Sequence, residues 1–315
     1  MPGFCSVQVV LRNNFKGVLH CAAVFLYCGV ALTSASEQIS GPPAVVQIPI
    51  KLHHGDLLVE ARVNASDFLT FKLDTGFGIT TISPNLADSL HLERVGGLTI
   101  DGIAGGERAD TFRGAEFSFE GMTFRPRRVA ALPSERQSRQ RSRDGIFGAD
   151  FFRRFVVEID VPNRRMRLYE PSSFTYGGTG EVIPLQFRRD TPIVEAVIRP
   201  IGRELVTARF EIDTGCDDCL CLGHDFVAAN GLLDGAKHRT ESARRGVGGS
   251  APIQHGKLDE LRLGQLAVKE PSANFFLEGS PASSGQAGHI GLGALQRFKM
   301  IFDYGSRKLI LEPAE

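Results

Sequence analysis

Two aspartates of this 315-residue chain stand in the same tripeptide, Asp74-Thr75-Gly76 and Asp213-Thr214-Gly215, and each tripeptide closes an apolar run. The lead-ins agree, Phe71-Lys72-Leu73 before the first and Phe210-Glu211-Ile212 before the second. At average composition a given tripeptide of this kind arises roughly once in several thousand positions, so two copies in matched settings point to a duplication. The Gly lets the chain turn sharply and aim the Asp side chain into a cleft. Two carboxylates on two like-built turns can meet on an internal two-fold axis, share one proton and activate a water molecule. Asp74 and Asp213 are therefore the candidate catalytic pair.

The elements that must hold such a pair repeat in the same order along the chain. Ile48-Pro49-Ile50 returns as Ile183-Pro184-Leu185, and Val59-Glu60-Ala61 as Val194-Glu195-Ala196. After each Asp-Thr-Gly comes a helix-like segment, Pro84 to Leu90 and Asp225 to Asn230. Glycine clusters follow at Gly102 to Gly106 and Gly246 to Gly249, which read as hairpin tips. The closing segments align without a gap: Phe147-Gly148, Phe152, Arg154-Phe155 and Ile159-Asp160 match Ile290-Gly291, Leu295, Arg297-Phe298 and Phe302-Asp303. Alternation of apolar and polar residues, as in Leu57 to Val63, marks strands. The pattern predicts an all-β chain of two similar lobes, residues 36–175 and 176–315, with few short helices and a linker from Pro171 to Glu181.

Composition narrows the function classes. Lys+Arg and Asp+Glu balance at 36 each, which gives no global electrostatic case for nucleic acid or an anionic membrane. The first 35 residues read as a signal peptide: Arg12 and Lys16, an apolar stretch from Val18 to Leu32, then Thr33-Ser34-Ala35 before the cleavage point. Export to the periplasm or the medium is the expectation, with an uncleaved N-terminal anchor as the alternative. Three of the six cysteines lie in that leader. The others, Cys216, Cys219 and Cys221, offer a Cys-x-x-Cys half-site without a second half; a local disulfide or buried thiols is the stronger reading. The His residues, His289 included, show no ligand spacing and read as structural or exposed. No metal and no cofactor are expected. The arginine-rich segment from Arg125 to Arg143 reads as a solvated loop.

The paired motif resembles the aspartic proteases, and the resemblance covers most of residues 45–313. Later in each half come Ile146-Phe147-Gly148 and His289-Ile290-Gly291, similar to the family's pair of hydrophobic residues followed by Gly, with His in place of the first hydrophobe. Ile146 to Asp160 looks like the pepsin pattern, while Asp213-Thr214-Gly215-Cys216-Asp217-Asp218 looks more like the retropepsins. The resemblance implies a bilobal acid-protease fold of two retropepsin-like β-barrel lobes related by a pseudo-two-fold axis. It further implies that Thr75 and Thr214 bond across the axis and that Gly76, Gly215, Gly148 and Gly291 support the active-site loops. Substrate contacts would come from Asp217 and Asp218 and from the flap glycines Gly105, Gly106, Gly248 and Gly249. The implied function is an exported, monomeric aspartic endopeptidase acting on extended polypeptide; the alternative is a non-catalytic peptide-binding or sensor protein on the same fold. Phe77 and Cys216 stand where pepsin-like chains carry a hydroxyl beside each catalytic carboxylate. Their presence predicts raised dyad pKa values and an optimum nearer neutral.

Overall fold

A computed structural model describes residues 46–119, 121–132, 143–234 and 240–314. The leader at 1–35, together with Arg136, Arg139, Arg141 and His238, lies outside these residues. Strand alternation is read directly in burial: Asp56–Val63 buries Leu57, Val59, Ala61 and Val63 and exposes Glu60 and Arg62. The described chain is all-β apart from four short helices, Pro84–Ser89, Ala149–Arg154, His224–Ala229 and Leu292–Leu295. The first starts where Ser83 Oγ accepts the amide of Leu86, with Pro at the first turn. Ala149–Arg154 and Leu292–Leu295 were hidden in the sequence because each is at most six residues long, too short for a helical period to repeat.

Each half builds the same four-strand frame behind its Asp. In the first lobe Phe68–Leu73 runs parallel to Gly145–Phe147. That strand is antiparallel to Thr81–Ile82, which is parallel to Val129–Ala131. In the second lobe Val206–Asp213 runs parallel to Gly288–Gly291, which is antiparallel to Leu220–Leu222, itself parallel to Ser272–Phe276. The molecule is thus a bilobal all-β fold with internal pseudo-two-fold symmetry.

The lobes are joined through their backbones. Val156–Asp160 pairs antiparallel with Phe298–Asp303, with Glu158 opposite Ile301. On the first-lobe side Arg165–Tyr169 and Val46–His53 follow in order; on the other side come Lys308–Pro313 and Glu181–Pro184. Val46–His53 pairs with Arg165–Tyr169 through its first half and with Asp56–Val63 through its second, so one strand ties this inter-lobe layer to the first lobe's barrel. Beneath the first lobe's site lies a packed set of phenyl rings. Phe147 stacks on Phe151 at 4.7 Å and meets Phe117 edge-on at 5.2 Å. Such ring pairs add roughly 0.5–1.5 kcal/mol beyond their buried area.

Candidate active site

Each Asp-Thr-Gly sits where its strand ends, and the two turns are tied to one another. Thr75 N–H donates to Thr214 Oγ1 at 3.0 Å while Thr75 Oγ1 donates to Ile212 O at 2.8 Å. The reciprocal bonds run from Thr214 N–H to Thr75 Oγ1 at 3.0 Å and from Thr214 Oγ1 to Leu73 O at 3.1 Å. Both threonines are fully buried. Within each turn the Gly amide donates to its own Asp: Gly76 N to Asp74 Oδ1 at 3.0 Å and Gly215 N to Asp213 Oδ1 at 2.9 Å. Each carboxyl faces the opposite turn: a Cβ on Gly76 would lie 2.7 Å from Asp213 Oδ1, and one on Gly215 would run into Asp74 Oδ2, so the two acids act on one another's ionisation.

Gly148 and Gly291 pass immediately behind the two loops. A Cβ on Gly148 would lie 2.7 Å from the backbone of Phe77 and Ile79, and one on Gly291 would lie 2.3 Å from Asp218 O and 2.6 Å from Cys216 O. The next residue binds the loop in each case, Ala149 N to Phe77 O and Leu292 N to Cys216 O, both at 2.7 Å. Any larger side chain at either Gly would push the loop off the axis.

The flaps are two hairpins, Glu93–Gly102 with Gly105–Arg113 and Thr240–Gly246 with Gly249–Lys257, each closed by a two-residue turn. Gly105, Gly248 and Gly249 have φ of 125°, 82° and 136°, a region open mainly to glycine. The tips touch: a Cβ on Gly248 would fall 2.4 Å from Gly105 O, and one on Gly102 would fall 2.2 Å from Val247 O. Each tip also reaches the other lobe. Ile103 packs on the cluster containing Cys216, Cys221 and Phe276, while Val247 packs with Phe77 and Ile79 around Ala109, Ala130 and Leu132. Phe77 and Cys216 are therefore part of the surface on which the opposite flap rests. Beneath the flaps is a cleft of about 1420 Å³ lined by both Asp residues, both flap tips and nine arginines.

Asp217 and Asp218 do not stand free in this cleft. Arg244, on the second flap, pairs with Asp217 and reaches Asp218 Oδ2 at 2.9 Å. Burial alone would raise both acids, but the Arg244 hydrogen bond and charge carry Asp217 below its ordinary range while Asp218 stays above it. The three cysteines are free thiols, with Cys216 and Cys221 Sγ atoms 3.3 Å apart. The ligand atoms of Cys216, Asp218 and Cys221 lie within 4.8 Å of one another, and the Arg244 guanidinium sits beside them, 2.9 Å from Asp218 Oδ2 and 3.9 Å from Cys216 Sγ.

Five charged groups that the motif did not announce flank the dyad. On the Asp74 side Lys72 Nζ is buried, 2.8 Å from Asp56 Oδ1 and 3.9 Å from Asp74 Oδ2, and donates to Gly215 O at 2.6 Å. Arg143 meets Asp56 Oδ2 at 2.9 Å, so this last residue of the arginine-rich segment is a site-facing group and not part of a solvated loop. On the Asp213 side His289 is buried, with Nδ1 2.8 Å from Asp213 Oδ2 and Nε2 3.0 Å from Glu211 Oε2. The signal was present in the sequence: Lys72 and Glu211 interrupt apolar runs two residues before each Asp, and His289 takes a hydrophobe's place.

These neighbours split the pair electrostatically. Burial and then the charge of Asp213 push Asp74 up to about 7 against the opposing pull of Lys72 and Arg143. Burial also opposes ionisation of Asp213, but His289, Lys72 and the hydrogen bond from Asp74 outweigh it and hold that carboxyl far below the usual range. Absence of the two hydroxyls predicted a general rise; the rise falls on Asp74 alone, because Asp213 has a cation in contact.

Residues 59–151 match the family model described as "Aspartyl protease". The matched span holds Asp74-Thr75-Gly76, the first flap and Gly148, and it supports assigning the chain to the aspartic protease family and, with it, a protease-like function. Among curated proteins none matches the chain.

Proposed function

We propose that the protein is an exported aspartic endopeptidase that hydrolyses extended polypeptide with a water activated by Asp74 and Asp213. The observation that carries this reading is the pair itself: two buried carboxyls, each facing the other's turn across cross-bonded loops, at the floor of a cleft covered by two flaps. Ionised Asp213 takes a proton from the water as its oxygen bonds to the scissile carbon, and Asp74 gives its proton to the carbonyl oxygen, forming a neutral gem-diol. Asp213 then returns its proton to the amide nitrogen as the C–N bond breaks, and Asp74 recovers one from a gem-diol hydroxyl. Acid and amine leave, and the dyad is back in its starting state. The flap strands suit a substrate bound as an added strand over the cleft.

The test is cleavage of a mixed peptide library by the intact protein and by Asp74→Asn and Asp213→Asn. Cleavage by the wild type with loss of at least 10³-fold in both variants is the expected result, in line with the scale of removing one essential acid or base. Equal cleavage by all three, or none by the wild type while peptides still bind, would sink the reading and favour a peptide-binding protein.

A further inference from the structure

Behind each carboxylate a parallel strand pair carries one register pair beside the dyad: Lys72 opposite Ile146 in the first lobe and Glu211 opposite His289 in the second. The positions are equivalent in the duplication, but they are filled differently. In the first lobe the cation lies on the Asp strand itself and stops 3.9 Å from Asp74 Oδ2, because Nζ is held by Asp56 and Gly215 O. In the second lobe the cation comes from the neighbouring strand and touches its Asp at 2.8 Å. Both ring nitrogens of His289 face carboxylate oxygens, Asp213 on one side and Glu211 on the other. Ionised carboxylates only accept, so a ring that serves both must donate from both nitrogens, and only the imidazolium does. Glu211 is fixed in turn by the Ser283 amide at 2.9 Å.

We propose that His289, anchored by Glu211, is the positioning residue that assigns the two roles in the dyad, holding Asp213 ionised and leaving the shared proton on Asp74. Its effect on rate rests on the protease reading; the ion pair is a property of the resting protein. The charged and titratable groups around the ring are Glu211 and Asp213 on its partner strand, Cys221 opposite it on the other neighbouring strand, and Lys72 and Asp74 across the axis. Lys72 is the one other cation among them, and it is engaged with Asp56.

Full-length protein with ¹⁵N-labelled histidine tests the ion pair directly. At pH 7 one imidazole should show two protonated nitrogens, and its signal should vanish in His289→Gln. In Asp213→Asn the midpoint of that ring should fall by more than one pH unit. A His289 ring that titrates at an ordinary value near 6.5 would overturn the proposal whether or not the protein cleaves peptides. The second arm is the pH dependence of kcat/KM. His289→Ile, which installs the residue of the equivalent first-lobe position, should move the acid limb upward by at least one unit, about a tenfold loss at the wild-type limb, with KM little changed. Glu211→Gln, which keeps the ring, should move it the same way by less. A folded His289→Ile enzyme with the wild-type acid limb would overturn the assignment of roles. If the wild type cleaves nothing, the protease reading fails and the nitrogen spectra alone decide.

Discussion

Asp74 and Asp213 have the same residue type and the same turn, yet they titrate on opposite sides of their ordinary value. Asp74 at about 7 sets the alkaline limit of a dyad that needs one proton: kcat/KM should fall above about pH 7 and stay level well into the acid range, where Asp213 remains ionised. A bell centred below about pH 3, as for a low-pKa dyad, would contradict this. The same shift acts on stability. The folded value lies above the ordinary 3.8, so the native state holds the extra proton, and the contribution is full below about 3.8 and lost as pH rises towards 7. Asp74→Asn should therefore raise Tm at pH 8 and change it little at pH 4, read by thermal melts. The two aspartates were legible as a repeated motif. Lys72, Glu211 and His289 were visible as charges in apolar runs, but their role depends on a strand register that brings residue 211 beside 289 and on the distance a side chain spans, neither of which spacing encodes.

At the scale of elements the two turns and two flaps act as coupled pairs. Thr75 Oγ1 both accepts the Thr214 amide and donates to Ile212 O. Thr75→Val strands a buried amide and a buried carbonyl, and should cost about 1–3 kcal/mol for each unsatisfied group, measured by denaturant unfolding. The flap glycine clusters were legible from composition; that each tip rests on the opposite lobe was not, because no local pattern says where a hairpin's end will land. That contact explains Phe77. In the sequence it is a bulky departure from the expected hydroxyl, and in the fold it is a wall shared with Ile79, Leu98, Ile100 and the incoming Val247. Phe77→Ala removes that wall and should raise KM several-fold through a looser second flap, with the dyad's pH limits unmoved, since Phe77 carries no charge. A shift of either limb in that variant would show that Phe77 acts on the carboxylates.

For the whole molecule, the inter-lobe layer is continuous backbone pairing across Val156–Asp160 and Phe298–Asp303. A fragment of residues 46–175 would expose the first of these as an unpaired edge, a template for pairing with another chain. It should self-associate in sedimentation or light scattering while the intact chain does not. Charge is also distributed unevenly. The chain is neutral overall with 36 charges of each sign, yet nine arginines and no lysine line the cleft. Arg244 and Arg153 are held by Asp217 and Asp190, while Arg127, Arg128 and Arg188 have no ion-pair partner among the described residues. Acidic peptides should be cleaved at lower KM than basic ones, and that gap should shrink as salt rises from 0.05 to 0.5 M through screening over roughly 10 Å. Repeat, lobes and motif were all readable in the chain because duplication writes them twice; the local charge excess was not, since its arginines come from distant segments.

The placement of Lys72 with Ile146 in one lobe and Glu211 with His289 in the other has a further consequence. A site assembled from two identical subunits must carry every substitution in duplicate, so a histidine against one carboxylate would stand against both. Two such cations would favour a doubly ionised pair and remove the proton the reaction needs. Joining the halves in one polypeptide frees the two positions to diverge, so handedness between donor and acceptor can be inherited and need not be settled anew by each bound substrate.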